Sequence, residues 1–300
     1  MNERPVLAGV LGALAIAFSG ILVDVANVAP ATAAVWRCAY ALPFLGVWAW
    51  WEHRRFGART GRERRLAALA GVLFAIDLVF WHYAIEDVGA GLGTVLGNLQ
   101  VVIVPFLALA VLKERIPRSI LYALPPVCVG VLLVSGALEE GAYGANPPRG
   151  VLFGVATGLA YAVFLMVQRA GSMDLRRPAG PLFDMTLVAS AVALVAGLVI
   201  GVDDLVPAWP SAGWLITLAL SSQVVGWLLI TVSLPRLPAA LTSIILTIQP
   251  IAAVALGAVL INQDPSLLQL AGVALIVAGL LIVGTRERAA GRARRRQIPA

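Results

Sequence analysis

Charge is what this chain has least of. Asp, Glu, Lys and Arg make up 13% of its 300 residues, against about a quarter in an ordinary soluble domain. Histidine and cysteine are scarcer, at two each. Cys38 and Cys128 both lie inside apolar runs, so neither a disulfide framework nor thiolate metal spacing is available. Both read as small packing residues. There is no phosphate loop, no Gly-x-Ser-x-Gly and no His-Glu metal spacing, so no catalytic residue, metal or cofactor is assigned. A net charge of +6 suggests nucleic acid at first sight. The basic residues sit in alternate joins and in the tail, though, without an interleaved basic and aromatic surface, and no nucleic-acid partner is expected.

What the chain has in excess is apolar length. Hydrophobic residues are 60% of the sequence and fall into ten long runs, roughly 5–25, 31–52, 66–86, 89–112, 118–137, 149–168, 179–201, 210–233, 238–261 and 267–285. A helix needs about 20 mostly apolar residues to cross the hydrocarbon core of a bilayer. The expectation is an all-α integral membrane protein of ten transmembrane helices. The joins carry Gly, Pro and charge (EHRRFGARTGRERR, EDVG, KERIPRS, EEGAYGANPPR, LPRLP, NQDPS), and most are short enough to make successive helices antiparallel neighbours.

The basic residues orient the helices, because Lys and Arg resist translocation. With the N-terminus inside, 20 of the 22 basic residues fall in cytoplasmic segments; the exceptions are Arg149, in an outer join, and Arg37, within a helix. The outer joins hold Glu86, Asp87, Glu139, Glu140, Asp203, Asp204 and Asp264. A multi-pass plasma-membrane protein with both termini cytoplasmic is expected. The first run imitates a signal peptide, but its length and an echo elsewhere in the chain mark a retained helix. The tail 286–300, with six arginines, reads as a solvated contact to anionic lipid of the inner leaflet.

The runs repeat. Ala90–Leu132 aligns without a gap on Ala239–Leu281, 149 residues later, with Leu92 over Leu241, Thr94 over Ser243, Gln100 over Gln249 and Gly130 over Gly279. VLAGVLGALA at Val6 likewise echoes VLFGVATGLA at Val151. The chain therefore divides into 1–140 (helices 1–5), 141–285 (helices 6–10) and the tail. An odd number of helices per copy forces the second to enter from the opposite side. The expected fold is two inverted-topology five-helix repeats around a central cavity, an architecture that supports alternating access.

VLGNLQVVIVPFLALAVLKERIPRSILYALPPVCVGVLLVSG and LTIQPIAAVALGAVLINQDPSLLQLAGVALIVAGLLIVG resemble the two EamA repeats of the drug/metabolite transporter superfamily, and TAAVWRCAYALP resembles that family's second helix. The resemblance covers essentially the whole chain. Helix 1 departs from it, reading AFSGILVD where the family often has Trp-Gly. The proline common midway along helices 4 and 9 is kept as Pro250 but replaced by Val101 in the first copy, and the second-copy join NQDPS lacks the Glu-Arg of KERIP. Helix 1 also lacks the buried Glu of the four-helix multidrug relatives. The resemblance implies a ten-helix transporter of small metabolites, often amino acids, commonly outward.

Polar groups at membrane depth each need a reason, since an unpaired one costs several kcal/mol. Asp77, Gln100, Gln223 and Gln249 fall near the midplane; Arg37 and Asn98 lie somewhat outward and Tyr161 a little inward. Arg37 and Asp77 differ in depth by about one helical turn, roughly 5 Å. Two readings stay open for them: an ion pair locking helices 2 and 3, or a substrate site in which Arg37 takes a carboxylate and Asp77 an amine or a proton. Trp81 shares the face of Asp77 at i, i+4, whereas His82 points away from it. Gln100 and Gln249 are the polar pair that the duplication itself picks out. Asn98, Gln223, Trp227 and Tyr161 complete the candidate lining. Pro43, Pro105, Pro125, Pro126 and Pro250 are expected to kink their helices. The function these features predict is secondary transport of small metabolites, with export preferred, proton coupling open, and a monomer or homodimer as the unit. The rival classes are a membrane-embedded lipid-modifying enzyme and a membrane scaffold.

Overall fold

A computed structural model describes residues 5–112, 116, 118–135, 138, 142–202, 204–233, 236–237 and 245–296. Helical residues occur in every one of the ten apolar runs, and no strand is present among the described residues. Residues 113–115 and 117 of the KERIP join, Glu139, Glu140, Asp203 and the start of the ninth run lie outside the described residues, as do the side chains of the basic tail.

The first run breaks once, at Phe18, into α1 (Pro5–Ala17) and α2 (Ser19–Ala26). Ser19 Oγ donates to the Ile16 carbonyl at 2.5 Å, giving the interrupted ladder a side-chain partner. The second run forms α3 (Pro30–Ala39) and α4 (Leu42–Phe56). Pro43 falls at the start of α4, where a missing N–H costs nothing, so it opens a helix instead of kinking one.

α5 (Gly61–Gly97) is two helical segments that meet at a sharp, non-helical corner at Gly89, φ 82° and ψ 165°. Its N-terminus is a reciprocal capping box of Thr60 and Glu63. A straight helix from residue 61 through 103 would measure about 65 Å, twice the hydrocarbon thickness. The Gly89 corner folds it into two rods, at the EDVG join between runs three and four. Only glycine adopts that backbone freely, and a β-carbon there would lie 2.8 Å from the Gln263 amide nitrogen.

The second rod of α5 gives way at Asn98 and Leu99 to α6 (Gln100–Leu112). The transition is tightened by i→i+3 bonds, Val101 N–H to Asn98 O at 3.2 Å and Val102 N–H to Leu99 O at 2.9 Å. The break therefore precedes Pro105, which lies within α6. α7 (Arg118–Val134) contains Pro125 and Pro126 without interruption. α8 (Pro147–Gly171) and α9 (Ala179–Ile200) follow. The eighth run is α10 (Ser211–Leu218), a π-helical stretch Ala219–Gly226, and α11 (Trp227–Ser233). Pro250 sits in the first turn of α12 (Ile248–Leu260), and α13 spans Leu267–Arg296.

Among the described residues five stretches are long and apolar enough to cross a membrane: Pro5–Ala26, Gly61–Ile103, Pro147–Gly171, Ala179–Ile200 and Ser211–Ser233. Arg118–Val134, Ile248–Leu260 and Leu267–Ile282 are shorter apolar helices. The outward faces of the helices, α4 included, carry Val199 (81% exposed), Val47 (70%) and Leu152 (67%). In water such a surface would be an aggregation hazard; in lipid it is the required one.

The interior has two main apolar clusters. One joins α2–α5 to α8, α9 and α10–α11 around Phe74, Phe164 and Trp227. The other lies between the second rod of α5, α6, α7 and α13. Within it α7 and α13 approach closely: a β-carbon on Gly130 would stand 2.6 Å from the Gly272 carbonyl oxygen, and one on Gly279 3.1 Å from that of Ala123. In both pairs the residue numbers sum to 402, so these helices run antiparallel. Adding 149 to Gly130 and Ala123 gives Gly279 and Gly272, so the two contacts are repeat-equivalent.

Candidate functional site

The cavity of interest lies between the two copies, with about 460 Å³ of empty space including the part open to solvent. Seven of the nine candidate residues line it: Arg37, Asp77, Trp81, Asn98, Tyr161, Trp227 and Gln249. Each is held by a different local device. Arg37 sits in the last turn of α3. Asp77 and Trp81 are one helical turn apart on α5. Asn98 occupies the break before α6 and ties down its own turn, its side-chain amide donating to the Thr94 carbonyl at 2.9 Å. The Thr94 hydroxyl in turn donates to the Ala90 carbonyl at 2.7 Å.

Gln100 and Gln223 stand apart. Gln100 is buried at the start of α6 but off the cavity wall, with its amide nitrogen unpartnered. Gln223 is fully buried, and its Nε2 donates to Thr186 Oγ1 at 3.1 Å. It fastens the π-helical stretch to α9, facing neither lipid nor the cavity. The repeat-related glutamines are thus unequal: Gln249 reaches the cavity and Gln100 does not.

Arg37 and Asp77 share this cavity without pairing. Among the described residues the ion pairs are Arg59–Asp184, Arg149–Asp87 and those of Asp174 with Arg176 and Arg177. The direct bridge between helices 2 and 3 is therefore not formed. Arg37 reaches the other copy instead. Its Nη2 donates to Ser222 Oγ on the π-helical stretch at 3.3 Å, and its guanidinium carbon lies 5.8 Å from the Trp81 ring centre. Arg37 Nε has no partner among the described residues, and the residue is 2% exposed. The Asp77 carboxylate accepts no hydrogen bond from a described residue. A buried cation and a buried carboxylate that are not paired to each other are costly in hydrocarbon. A polar-lined cavity offers them solvent or solute in place of lipid.

Below Asp77, toward the Glu52 end of the bundle, the cavity floor is aromatic. The Phe74 ring lies 4.9 Å from that of Phe164 and 5.3 Å from that of Trp227, centre to centre. Tyr161 stacks on Phe164 at 5.9 Å. These rings come from α5 in one copy and from α8 and α11 in the other. At that end Glu52 accepts from the Ala179 and Gly180 amides at 3.0 and 2.8 Å, capping the otherwise unsatisfied N-terminus of α9. The nearby Asp174 carboxyl is held below the usual carboxylate range by hydrogen bonds from Arg176, with Arg177 adding to the effect.

At the opposite end Asp87 is clamped by Arg149 through two bonds of 2.6 and 2.8 Å. Gln263 accepts from the Gly91 amide at 3.1 Å, tying the join before α13 to the Gly89 corner. His82 lies off the cavity, with Nδ1 3.0 Å from the Pro30 carbonyl, in keeping with its expected separation from Asp77.

Sequence reasoning missed Ser19, Phe74, Thr94 and Thr157 on the cavity wall. Two signals were present. Thr94 aligns on Ser243 in the duplication, and Thr157 precedes Tyr161 by one helical turn. Ser19 and Phe74 carried none, because a serine at a helix break and a phenylalanine in an apolar run are ordinary.

No curated protein matches the sequence. Among solved structures, a crystal structure of a protein 13% identical in sequence superposes with a TM-score of 0.66, covering 95% of this chain and 99% of that one. At that identity it shows the fold alone. The model of the EamA-like transporter family matches twice, over residues 4–136 and 148–285. Two matches, side by side and nearly covering the chain, account for the duplicated helices and the cavity between them. The chain is a multi-pass membrane protein of the EamA-like transporter family, a transporter and not an enzyme.

Proposed function

We propose that this chain is a secondary transporter that exports small amphiphilic metabolites, amino acids and similar zwitterions, across the plasma membrane. It does so by alternating access between two inverted five-helix repeats, 1–140 and 141–285, ten spans in all. The Glu52 end of the bundle is cytoplasmic, with both termini, and the Gly89 end is external. The charge asymmetry of the joins supports this orientation. The antiparallel, repeat-equivalent contacts Gly130–Gly272 and Ala123–Gly279 support the inversion.

The observation that carries the reading is Arg37 and Asp77 on one cavity wall, unpaired. Arg37 takes the carboxylate of the solute, and Asp77 takes its ammonium or exchanges a proton. Trp81, Tyr161 and Trp227 receive the apolar part, with Asn98 and Gln249 completing the polar lining. Phe74 against Phe164 and Trp227 seals the cytoplasmic side, so inward opening parts α5 from α8 and α11. The basic tail rests on anionic inner-leaflet lipid, and the working unit is a monomer or homodimer.

The test is solute movement in proteoliposomes across a panel of amino acids and nucleosides, with and without a pH gradient. At least one zwitterion is carried, and Asp77→Asn abolishes its movement while the protein remains folded and monodisperse. If no small solute moves, or if Asp77→Asn transports like the parent, the reading is wrong. If Asp77→Asn cannot be recovered folded, Asp77 is a structural group and the site assignment fails.

A further inference from the structure

The inner face of α8 stays polar beyond the aromatic floor of the cavity. Thr157 and Tyr161 line the cavity, and Phe164 belongs to its floor. Gln168 and Ser172 follow at the next two turns. At 3.6 residues per turn Gln168 lies about 20° from Tyr161 and about 40° from Phe164 around the helix axis, and about 6 Å past Phe164 along it. All three share one face. The stripe leads away from the Gly89 corner: α8 begins with Gly150 against Val88 and ends with Gly171 against Leu66 and Ala67, near the start of α5.

Gln168 is 1% exposed, and neither its Oε1 nor its Nε2 has a partner among the described residues. Ser172 Oγ, one turn on, is buried and unpartnered as well. The facing helix repeats the arrangement. The Trp227 ring meets that of Phe164 at 5.3 Å. One turn later on α11, about 40° around its axis, Thr231 is buried with its Oγ1 unpartnered. α11 also leads away from the Gly89 corner. Its Gly226 lies against Gly12 and its Ser233 against Gly9, whereas Gly20, further along the same run, lies against Ala90 beside that corner. Gln168, Ser172 and Thr231 all fall outside the cavity lining.

Buried polar groups are nearly always hydrogen-bonded, and an apolar residue of the same shape would avoid the cost of leaving them bare. These three do not tie helices together, since they bond nothing among the described residues. They gain partners once the rings between them and the cavity part. We infer that Gln168, Ser172 and Thr231 form a second solute-binding station, closed off beneath the aromatic floor here and joined to the cavity when Phe74, Phe164 and Trp227 separate. The inference rests on the transport reading above. All three groups are uncharged. A carboxamide donates to a carboxylate and accepts from an ammonium, and a hydroxyl does either. The station therefore takes either end of a zwitterion and uncharged polar solutes alike, leaving selection to Arg37 and Asp77.

Access is tested on the full chain in lipid nanodiscs with a water-soluble methanethiosulfonate, the modified peptides being located by mass spectrometry. Gln168→Cys reacts slowly with the floor intact and about tenfold faster when Phe74→Ala opens it, because thiolate attack needs access. Phe164→Ala serves where Phe74→Ala is not recovered folded. Leu159→Cys, on the lipid face of the same helix, stays slow in both backgrounds. Gln168→Met and Thr231→Val then exchange polar groups for apolar ones of similar size. Each keeps or raises the melting midpoint, since no bond is lost, and leaves equilibrium binding in the cavity at the parental level. Each slows solute movement in proteoliposomes about fivefold, one hydrogen bond's worth, and equally for every solute carried. Slow labelling of Gln168→Cys with the floor opened, a lowered midpoint in Gln168→Met, or parental movement in both apolar variants would overturn the inference. Labelling and melting need no solute movement, so they stay decisive where the transport assay itself fails.

Discussion

The two copies are alike in their frame and unlike in their cavity. The frame contacts come in repeat-equivalent pairs: Gly130 against Gly272 answers Gly279 against Ala123, and Gly9 against Ile245 answers Gly154 against Leu96. Small residues stand wherever helix backbones meet, as expected where packing in lipid must replace the hydrophobic effect. The cavity follows no such rule. The first copy contributes Arg37, Asp77, Trp81 and Asn98, and the second contributes Tyr161, Trp227 and Gln249. α5 stays α-helical through Asp77, whereas the run at the same place in the second copy is π-helical over Ala219–Gly226. Duplication supplied the scaffold; divergence within it placed both cavity charges in the first copy, while each copy supplies two of the lining aromatics, Phe74 and Trp81 against Tyr161 and Trp227.

That contrast breaks most visibly at the frame. Gly130→Leu is expected to be the most damaging substitution, because its side chain would enter at 2.6 Å from a backbone carbonyl that cannot move aside. Overpacking costs about 1–3 kcal/mol even in forgiving cores. Both it and its equivalent Gly279→Leu should lower the melting midpoint in size-exclusion thermal-shift measurements. If one is tolerated as well as a surface change, the frame is not symmetric.

A smaller effect separates the two glutamines. Gln249→Ala should weaken solute binding several-fold, about one hydrogen bond's worth of 1 kcal/mol, while Gln100→Ala leaves it unchanged. Equal effects in a binding titration would erase the asymmetry. Next comes Ser222→Ala, which frees Arg37 Nη2 from the π-helical stretch. Carboxylate-bearing solutes should lose affinity a few-fold, again within the range of one hydrogen bond, and amines without a carboxylate should not.

The smallest expected effect is at the join before α9. The Asp174 carboxyl titrates below its usual value because Arg176 and Arg177 bond its ionised form. Its contribution to order there is complete above the unfolded carboxylate value of about 3.9 and fades as pH falls through the lower, folded one. Amide exchange across residues 172–178, corrected for intrinsic rates, should rise only in that acid range. Asp174→Asn should show the raised level at neutral pH as well.

Much of this molecule was legible in its residues. Apolar runs report helices directly, since backbone groups in lipid must bond within their own segment. The EDVG join announced the Gly89 corner because glycine alone tolerates that backbone freely. Arg37, Asp77, Asn98, Tyr161 and Gln249 line the cavity as the rule that polar groups at depth face inward expects, Trp81 lines it through its place one turn after Asp77, and the same rule misplaced Gln100 and Gln223. The prolines were less informative. Pro125 and Pro126 sit inside an uninterrupted α7, and the first copy breaks at Asn98 and Leu99, where side-chain and i→i+3 bonds compensate.

The sequence by itself therefore determined the solvent, the helices and the duplication, because each is written in periodicity and composition along the chain. Tertiary structure alone decided partners. Depth brought Arg37 and Asp77 within about one helical turn of each other, but a guanidinium on a long side chain can turn to any neighbour. Arg37 turned across the repeat boundary to Ser222, on a π-helical stretch that no residue pattern announces. Gln249 and Gln100 occupy equivalent positions, yet only one reaches the cavity. Which side of a helix faces that space depends on how its neighbours pack, and packing is a property of the whole bundle.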